Sequence, residues 1–197
     1  MHSMLYNFHH LTQMSLPKTI KSEQLYHGSI IDLIIEHVEN TAGDIRKREI
    51  VSHPGGSVIV PLFDNGDVML VRQYRYPLKK FILELPAGKL EPGEDPLIAA
   101  RRELQEETGY EADKYEKLTT MFTTPGFCNE VLHIYLATGL KESEHGQNLD
   151  EGEQSLTVEY IPFSTVVEMI VRGELGDGKT IAGILLTERK LKSINNE

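Results

Sequence analysis

The stretch FILELPAGKLEPGEDPLIAARRELQEETG, residues 81–109, runs an apolar strand through a loop of glycines and prolines and straight into a helix. FILEL (81–85) reads as a strand halted at Pro86, whose ring removes a backbone donor. Asp95 is predicted as the N-cap, Pro96 fills the first helical position and Gly109 ends the helix. Between them Leu97, Ala100 and Leu104 recur at i, i+3 and i+7, an apolar stripe that has to lie on a sheet.

The rest of the chain supplies that sheet. Residues 23–39 and 45–52 read as strands joined by the turn NTAGD (40–44), a small N-terminal antiparallel sheet, and HPGG (53–56) punctuates the chain before the main body. SVIVPLF (57–63) and DVMLVRQY (67–74) flank DNG and predict a hairpin. Strands are expected at 116–122, 130–138 and 156–161, and helices at 164–172 and 178–192, the latter with Ile181, Ile184, Leu185 and Leu191 on one side. Strands and helices interleave without regular βαβ spacing, which argues for an α/β or α+β sandwich with a mixed sheet between helices.

The predicted organisation is a tail at 1–14, an N-terminal β-sheet arm at 15–52 and a main domain at 53–197. A chain of 197 residues with 40% apolar content suits one such core. Its formal charge of −10 disfavours nonspecific nucleic-acid or anionic-membrane binding, though not a small anionic ligand. No apolar run approaches the ~20 residues needed to span a bilayer. Cys128 is the single cysteine, which permits no internal disulfide and fits a reducing cytoplasm.

The predicted helix also carries Glu103, Glu106 and Glu107, which crowd one edge with Arg102 four residues before Glu106. Such an edge ordinarily does no more than face water. The loop in front of it changes the reading: Gly88 allows backbone to approach a ligand closely, and carboxylates behind a tight turn suit a hard cation. Mg²⁺ takes oxygen ligands and shares them with water and phosphates.

Here the chain resembles the Nudix hydrolases. Their box is a Gly, five residues, Glu, seven residues, then Arg-Glu-aliphatic-any-Glu-Glu-any-Gly-aliphatic; this sequence reads Gly88, Glu94, then Arg102-Glu103-Leu104-Gln105-Glu106-Glu107-Thr108-Gly109-Tyr110, only Tyr110 stretching the last class. The resemblance implies a Nudix-type α/β/α sandwich and hydrolysis of a nucleoside diphosphate linked to another moiety, with Mg²⁺ or Mn²⁺. VRQYRYPLKKFILELPAG looks like the ADP-ribose pyrophosphatase branch, as do Pro125, sixteen residues beyond Gly109, and the acidic loop LDEGEQSLTVEYIP (149–162).

Carried over by position, the resemblance implies metal ligands at Glu103, Glu107, the Ala87 carbonyl and Glu153, with Glu106 in or beside that set and counted among the catalytic residues. It implies a water-activating base at Glu151, two residues from Glu153, so the roles of those two are interchangeable in this reading. Arg75 would pair with the diphosphate, Lys89 would contribute through its backbone, and Arg48 would approach the nucleoside from the N-terminal sheet. Glu84, Cys128 and the histidines are left structural. Several relatives stack adenine on tryptophan; this chain has none, and Ile30 or Tyr26 would supply apolar contact instead.

The expected reaction is Mg²⁺-dependent hydrolysis of ADP-ribose to AMP and ribose 5-phosphate in a cytoplasmic homodimer. Its rivals are the same chemistry on GDP-mannose or another nucleotide-sugar, a nucleotide sensor without catalysis, and an RNA-directed hydrolase. The last is disfavoured by the net charge and by the lack of a basic stripe with interleaved aromatics.

Overall fold

A computed structural model describes residues 16–194; the expected tail at 1–14 lies outside them. The elements run β1 (Lys18–His27), β2 (Asp32–Glu39), β3 (Ile45–Ser52), β4 (Gly56–Pro61), β5 (Asp67–Arg75), β6 (Lys80–Glu84), β7 (Ala87–Lys89), α1 (Pro96–Thr108), β8 (Tyr110–Phe122), β9 (Val131–Glu142), β10 (Thr157–Pro162), α2 (Phe163–Val171) and α3 (Gly178–Ile194). By contacts the chain divides between Ser52 and His53.

The first unit is an antiparallel meander, β1-β2-β3. Its second turn is the expected NTAGD: Asn40 Oδ1 accepts from Ala42 N and Asp44 N, each at 2.9 Å, and Gly43 takes the left-handed conformation there. None of the described residues 16–52 is buried.

In the second unit β7-β4-β9-β8 form a mixed sheet, with β4 parallel to β9, and β10-β5-β6 form an antiparallel one. Strand alternation divides the core. Ile59, Tyr135 and Ala137 pack with Ala100 and Leu104 of α1. Val58, Val60 and Ile134 point the other way and cluster with Val68, Leu70 and Leu85 and with Ile184 of α3. The mixed sheet therefore lies between helices, as expected.

Two sequence expectations are corrected. DNG does turn the chain, with Gly66 N donating to Phe63 O at 3.0 Å and Phe63 N to Asp67 O at 2.9 Å. The strands around it form no hairpin: after the single bridge Leu62–Val68 they enter different sheets. Both edges of β4 are already taken, by β7 and β9, and all six of its residues are buried.

The expected stripe on α3 is also rotated. Ile184 is buried, but Leu185 is exposed, and the buried positions beside Ile184 are Thr180, Gly183 and Thr187. A Cβ on Gly183 would meet Leu85 Cδ1 at 2.6 Å and Val60 Cγ2 at 3.0 Å. The helix backbone lies too close to the sheet for larger side chains on that line.

Candidate active site

Asp95 and Gly109 fix where α1 begins and ends. Asp95 Oδ1 accepts from Leu97 N at 2.8 Å and Ile98 N at 3.3 Å, and Gly109, at φ 75°, closes the other end through its N–H to Gln105 O. With Ala100 and Leu104 held to the sheet, Glu103 and Glu107 come onto the side that faces β7 and are buried. Glu107 Oε2 accepts from Ala87 N at 2.9 Å. A Cβ on Gly88 would fall inside the Glu103 carboxylate. Glycine is required there by space: Gly88→Ala should displace the Glu103 carboxylate and weaken Mn²⁺ binding, read by calorimetry, by roughly the 10–100-fold typical of perturbing a ligand's support.

Arg102 orders the acids. Its guanidinium donates to both oxygens of Glu94 at 3.0 Å, to Glu103 Oε1 at 2.7 Å, to Glu106 Oε2 at 2.9 Å and to the Lys89 carbonyl at 3.1 Å. The Lys89 carbonyl is thus engaged by Arg102, while the Lys89 side chain is exposed. The bond from Arg102 holds the Glu94 carboxyl below its usual range. Glu107 has no ion-pair partner among the described residues.

That leaves strongly buried negative charge. Burial pushes the Glu103 carboxyl up to about 7, against the pull of Arg102. Glu107 is also raised, first by burial and then by the charges of Glu103 and Glu153. Glu153 therefore lies within electrostatic reach of both. Its Oε2 accepts from Asp150 N at 3.3 Å, and Glu151 is exposed in the same turn.

The carboxylates of Glu103, Glu106, Glu107 and Glu153 each have one oxygen hydrogen-bonded and one without a partner among the described residues. As they stand, no three of the described side chains converge as a closed cage. An all-oxygen, anionic donor set with two buried members fits Mg²⁺ or Mn²⁺.

A pH dependence follows. With carboxyl pKa values raised in the folded state, the native protein holds protons that the unfolded chain releases. Without a cation, stability falls as pH rises from the ordinary carboxylate range towards about 7. Binding a cation reverses this, so Mg²⁺ should raise Tm more at about pH 8 than at about pH 5.5. Differential scanning fluorimetry reads the result, and equal shifts would count against buried ligands.

Arg75, expected to meet a diphosphate, is held by a residue left as structural. Its Nε and Nη2 donate to the two oxygens of Glu84 at 2.7 and 2.9 Å. Glu84 is buried, also pairs with Lys179, and its charge acts on Glu107. Lys179 in turn reaches Asp177 Oδ2 at 3.1 Å, and Asp177 caps the start of α3 through Thr180. Arg75 Nη1 has no partner among the described residues.

Arg48 belongs to the first unit, on β3 opposite Glu36, where its Nη1 donates to Lys47 O at 3.2 Å. Tyr26 and Ile30 are exposed in that unit. Pro125 sits in a turn closed by Phe127 N and Cys128 N on Thr124 O, at 3.1 and 3.0 Å. Sequence reasoning left Glu84 structural and did not single out Lys179, nor Gln105 and Gln147, whose side-chain amides join α1 to the segment before the acidic loop.

Comparison with known proteins accords with this geometry. The family model described as the NUDIX domain matches residues 53–191. The chain is 42% identical over 167 residues to the methanol dehydrogenase activator of Bacillus methanolicus, covering 85% of this chain and 90% of that one. It is 42% identical over 173 residues to the ADP-ribose pyrophosphatase of Bacillus subtilis (88% and 93% covered). With the GDP-mannose pyrophosphatase of Yersinia enterocolitica it shares 32% over 142 residues (68% and 73%). A crystal structure described as that of an ADP compounds hydrolase superposes with a TM-score of 0.79, covering 92% of this chain and 97% of that one. At 20% identity that likeness speaks for the fold alone.

Proposed function

The chain belongs to the Nudix family, and from that premise we propose that it is a divalent-cation-dependent pyrophosphohydrolase that cleaves ADP-ribose to AMP and ribose 5-phosphate. One observation carries the chemistry: Glu103 and Glu107 are buried against the Gly88 turn with more negative charge than Arg102 offsets. Such burial is costly unless a cation compensates it. The choice of ADP-ribose is supported by the Bacillus subtilis relative, which shares more residues over more of the chain than the GDP-mannose pyrophosphatase does. The name of the Bacillus methanolicus relative states an effect on another enzyme and does not discriminate between nucleotides.

In this reading Glu103, Glu107, Glu153 and the Ala87 carbonyl hold the cation, with Glu106 beside them and steadied by Arg102. A divalent cation, when bound, offsets the diphosphate charge and lowers the pKa of water. Arg75, clamped by Glu84, offers its remaining N–H groups to a diphosphate oxygen. Glu151 accepts a proton from the attacking water. One phosphorus–oxygen bond of the anhydride breaks as the new one forms, and AMP and ribose 5-phosphate separate. Lys89 completes the substrate-binding set through its backbone beside Gly88.

A substrate panel with Mg²⁺ and with Mn²⁺ tests the reading: ADP-ribose, GDP-mannose, other nucleotide-sugars, diadenosine polyphosphates and oxidised nucleoside triphosphates. The highest kcat/KM is expected for ADP-ribose, and a higher value for GDP-mannose overturns the choice. Calorimetric binding of ADP-ribose without AMP release would make the protein a sensor.

The enzyme is also proposed to act as a cytoplasmic homodimer. In the cytoplasm Cys128 stays reduced, and no described helix is long and apolar enough to cross a membrane. Support for the dimer comes from the first unit: residues 15–52 are read as a dimerisation arm and residues 53–197 as the hydrolase domain. The first unit leaves Ile20, Leu25, Tyr26 and Ile45 exposed on a three-stranded sheet and Ile30 exposed in its first turn, with none of its described residues buried, whereas such a sheet needs a packed hydrophobic face to be stable alone. Light scattering that finds only the monomer at micromolar concentration would remove that support.

A further inference from the structure

A helix leaves its last carbonyls without partners, and in α1 two of those carbonyls are taken by the segment that leads into the acidic loop. Asn148 N donates to Glu106 O at 2.9 Å. Gln147 Nε2 donates to Glu107 O at 2.6 Å. A third bond runs the other way, from Gln105 Nε2 to Gly146 O at 2.6 Å. Ser143 N on Gly109 O, at 2.8 Å, starts the seam. The approach is close: a Cβ on Gly109 would sit 3.2 Å from Gln147 N.

Polar side chains at a surface ordinarily spend their amides on water. These two glutamines instead bond main-chain carbonyls 40 and 41 residues away in sequence. Both bonds meet the turn of helix that carries Glu106 and Glu107. At the far end of the loop Leu156 is buried, and within the loop its N–H donates to Glu153 O at 2.7 Å. Glu151 follows Asn148 by three residues, so at ~3.3–3.6 Å per residue it stays within ~11 Å of that anchor.

We propose that Gln147, assisted by Gln105, is a positioning residue that pins the 149–155 loop to the end of α1, holding Glu151 and Glu153 over Glu103 and Glu107. The assignment rests on the catalytic reading above. Gln147 touches no reacting atom; it acts through the two loop glutamates. Because a misplacement of ~1 Å costs up to ~10² in rate, two neutral amides outside the reaction centre govern turnover.

The test compares Gln147→Met and Gln105→Met/Gln147→Met, which keep bulk and lose the donor, with Gln147→Lys, which keeps a donor of similar reach. In the double variant kcat for ADP-ribose should fall roughly 10–100-fold with KM within about threefold. The Mn²⁺ affinity read by calorimetry should weaken about tenfold or more. Hydrogen exchange should quicken at amides 150–154 while the rest of the chain keeps the parent pattern, which shows that the fold is intact. Gln147→Lys should stay near the parent in all three readouts.

Parent-like kcat, Mn²⁺ affinity and exchange in the double variant overturn the proposal. If that variant does not fold, Gln147→Met alone is read against the same outcomes. Should the parent leave ADP-ribose uncleaved while exchange and Mn²⁺ affinity still respond, the catalytic reading fails and the tether stands.

Discussion

Glu107→Gln is expected to lower kcat/KM for ADP-ribose by about 10³ or more while making the cation-free protein more stable at pH 8. The first effect follows from removing one charge of the set proposed to hold the cation, whose electrostatic work is worth several kcal/mol, each 1.36 kcal/mol being tenfold in rate. The second follows from burial. Glu107 is 1% exposed, and its carboxyl is raised by that burial and by Glu103 and Glu153. A raised carboxyl pKa means that stability is lost as pH climbs above the unfolded value, and the uncharged amide escapes that loss. Glutamine still offers a carbonyl oxygen to Ala87 N–H, so the bond on that side is kept. For a chain of this size each 1 kcal/mol gained moves Tm by roughly 2–4 °C. Activity within tenfold of the parent would remove Glu107 from the ligand set, and an unchanged or lower Tm would contradict the burial argument.

Glu151→Gln should behave differently. Glu151 is exposed, so Tm should stay at the parent value. If it is the general base, kcat falls by about 10²–10⁴ with KM for ADP-ribose little altered. Glu153→Gln provides the contrast, since a ligand replacement should first raise the Mg²⁺ concentration needed for half-maximal rate. A loss below about threefold at Glu151, with a large kcat effect at Glu153, exchanges the two roles. Stopped assays at saturating and limiting Mg²⁺ separate these outcomes.

Features written into neighbouring residues were legible in the sequence. Asp95, Pro96 and Gly109 delimit α1 because capping is settled within one helical turn. The same local logic placed the DNG turn correctly and then misled. A turn motif says that the chain reverses, and which strands pair is decided elsewhere. Here the run Ser57–Val60, buried on both faces, needed neighbours on both sides; an unbroken apolar run signals an interior strand. On α3 the periodicity of Ile and Leu pointed to Leu185. Close helix–sheet approach at Gly183 decided the buried face instead.

The candidate site was legible to the extent that its acids share a motif. Gly88, Glu94, Arg102 and Glu103 were brought together by the resemblance to the Nudix box, and in the structure they touch or bond one another. What spacing does not encode is a partner brought from afar. Lys179 meets Glu84 across 95 residues and Gln147 meets α1 across 40. Neither leaves a local signature, because an amide or ammonium group reads the same whether it faces water or a carbonyl.

The parallel pairing of β4 with β9 sets the order in which a growing polypeptide acquires its chemistry. α1 lies between those two strands in the chain and docks on residues from both, Ile59 on one side and Tyr135 and Ala137 on the other. During synthesis Glu103 and Glu107 leave the ribosome before half of their platform exists. Closing so long a loop is slow and entropically opposed. The nascent chain therefore carries Glu103 and Glu107 in water, without the surface that buries them, until β9 has emerged.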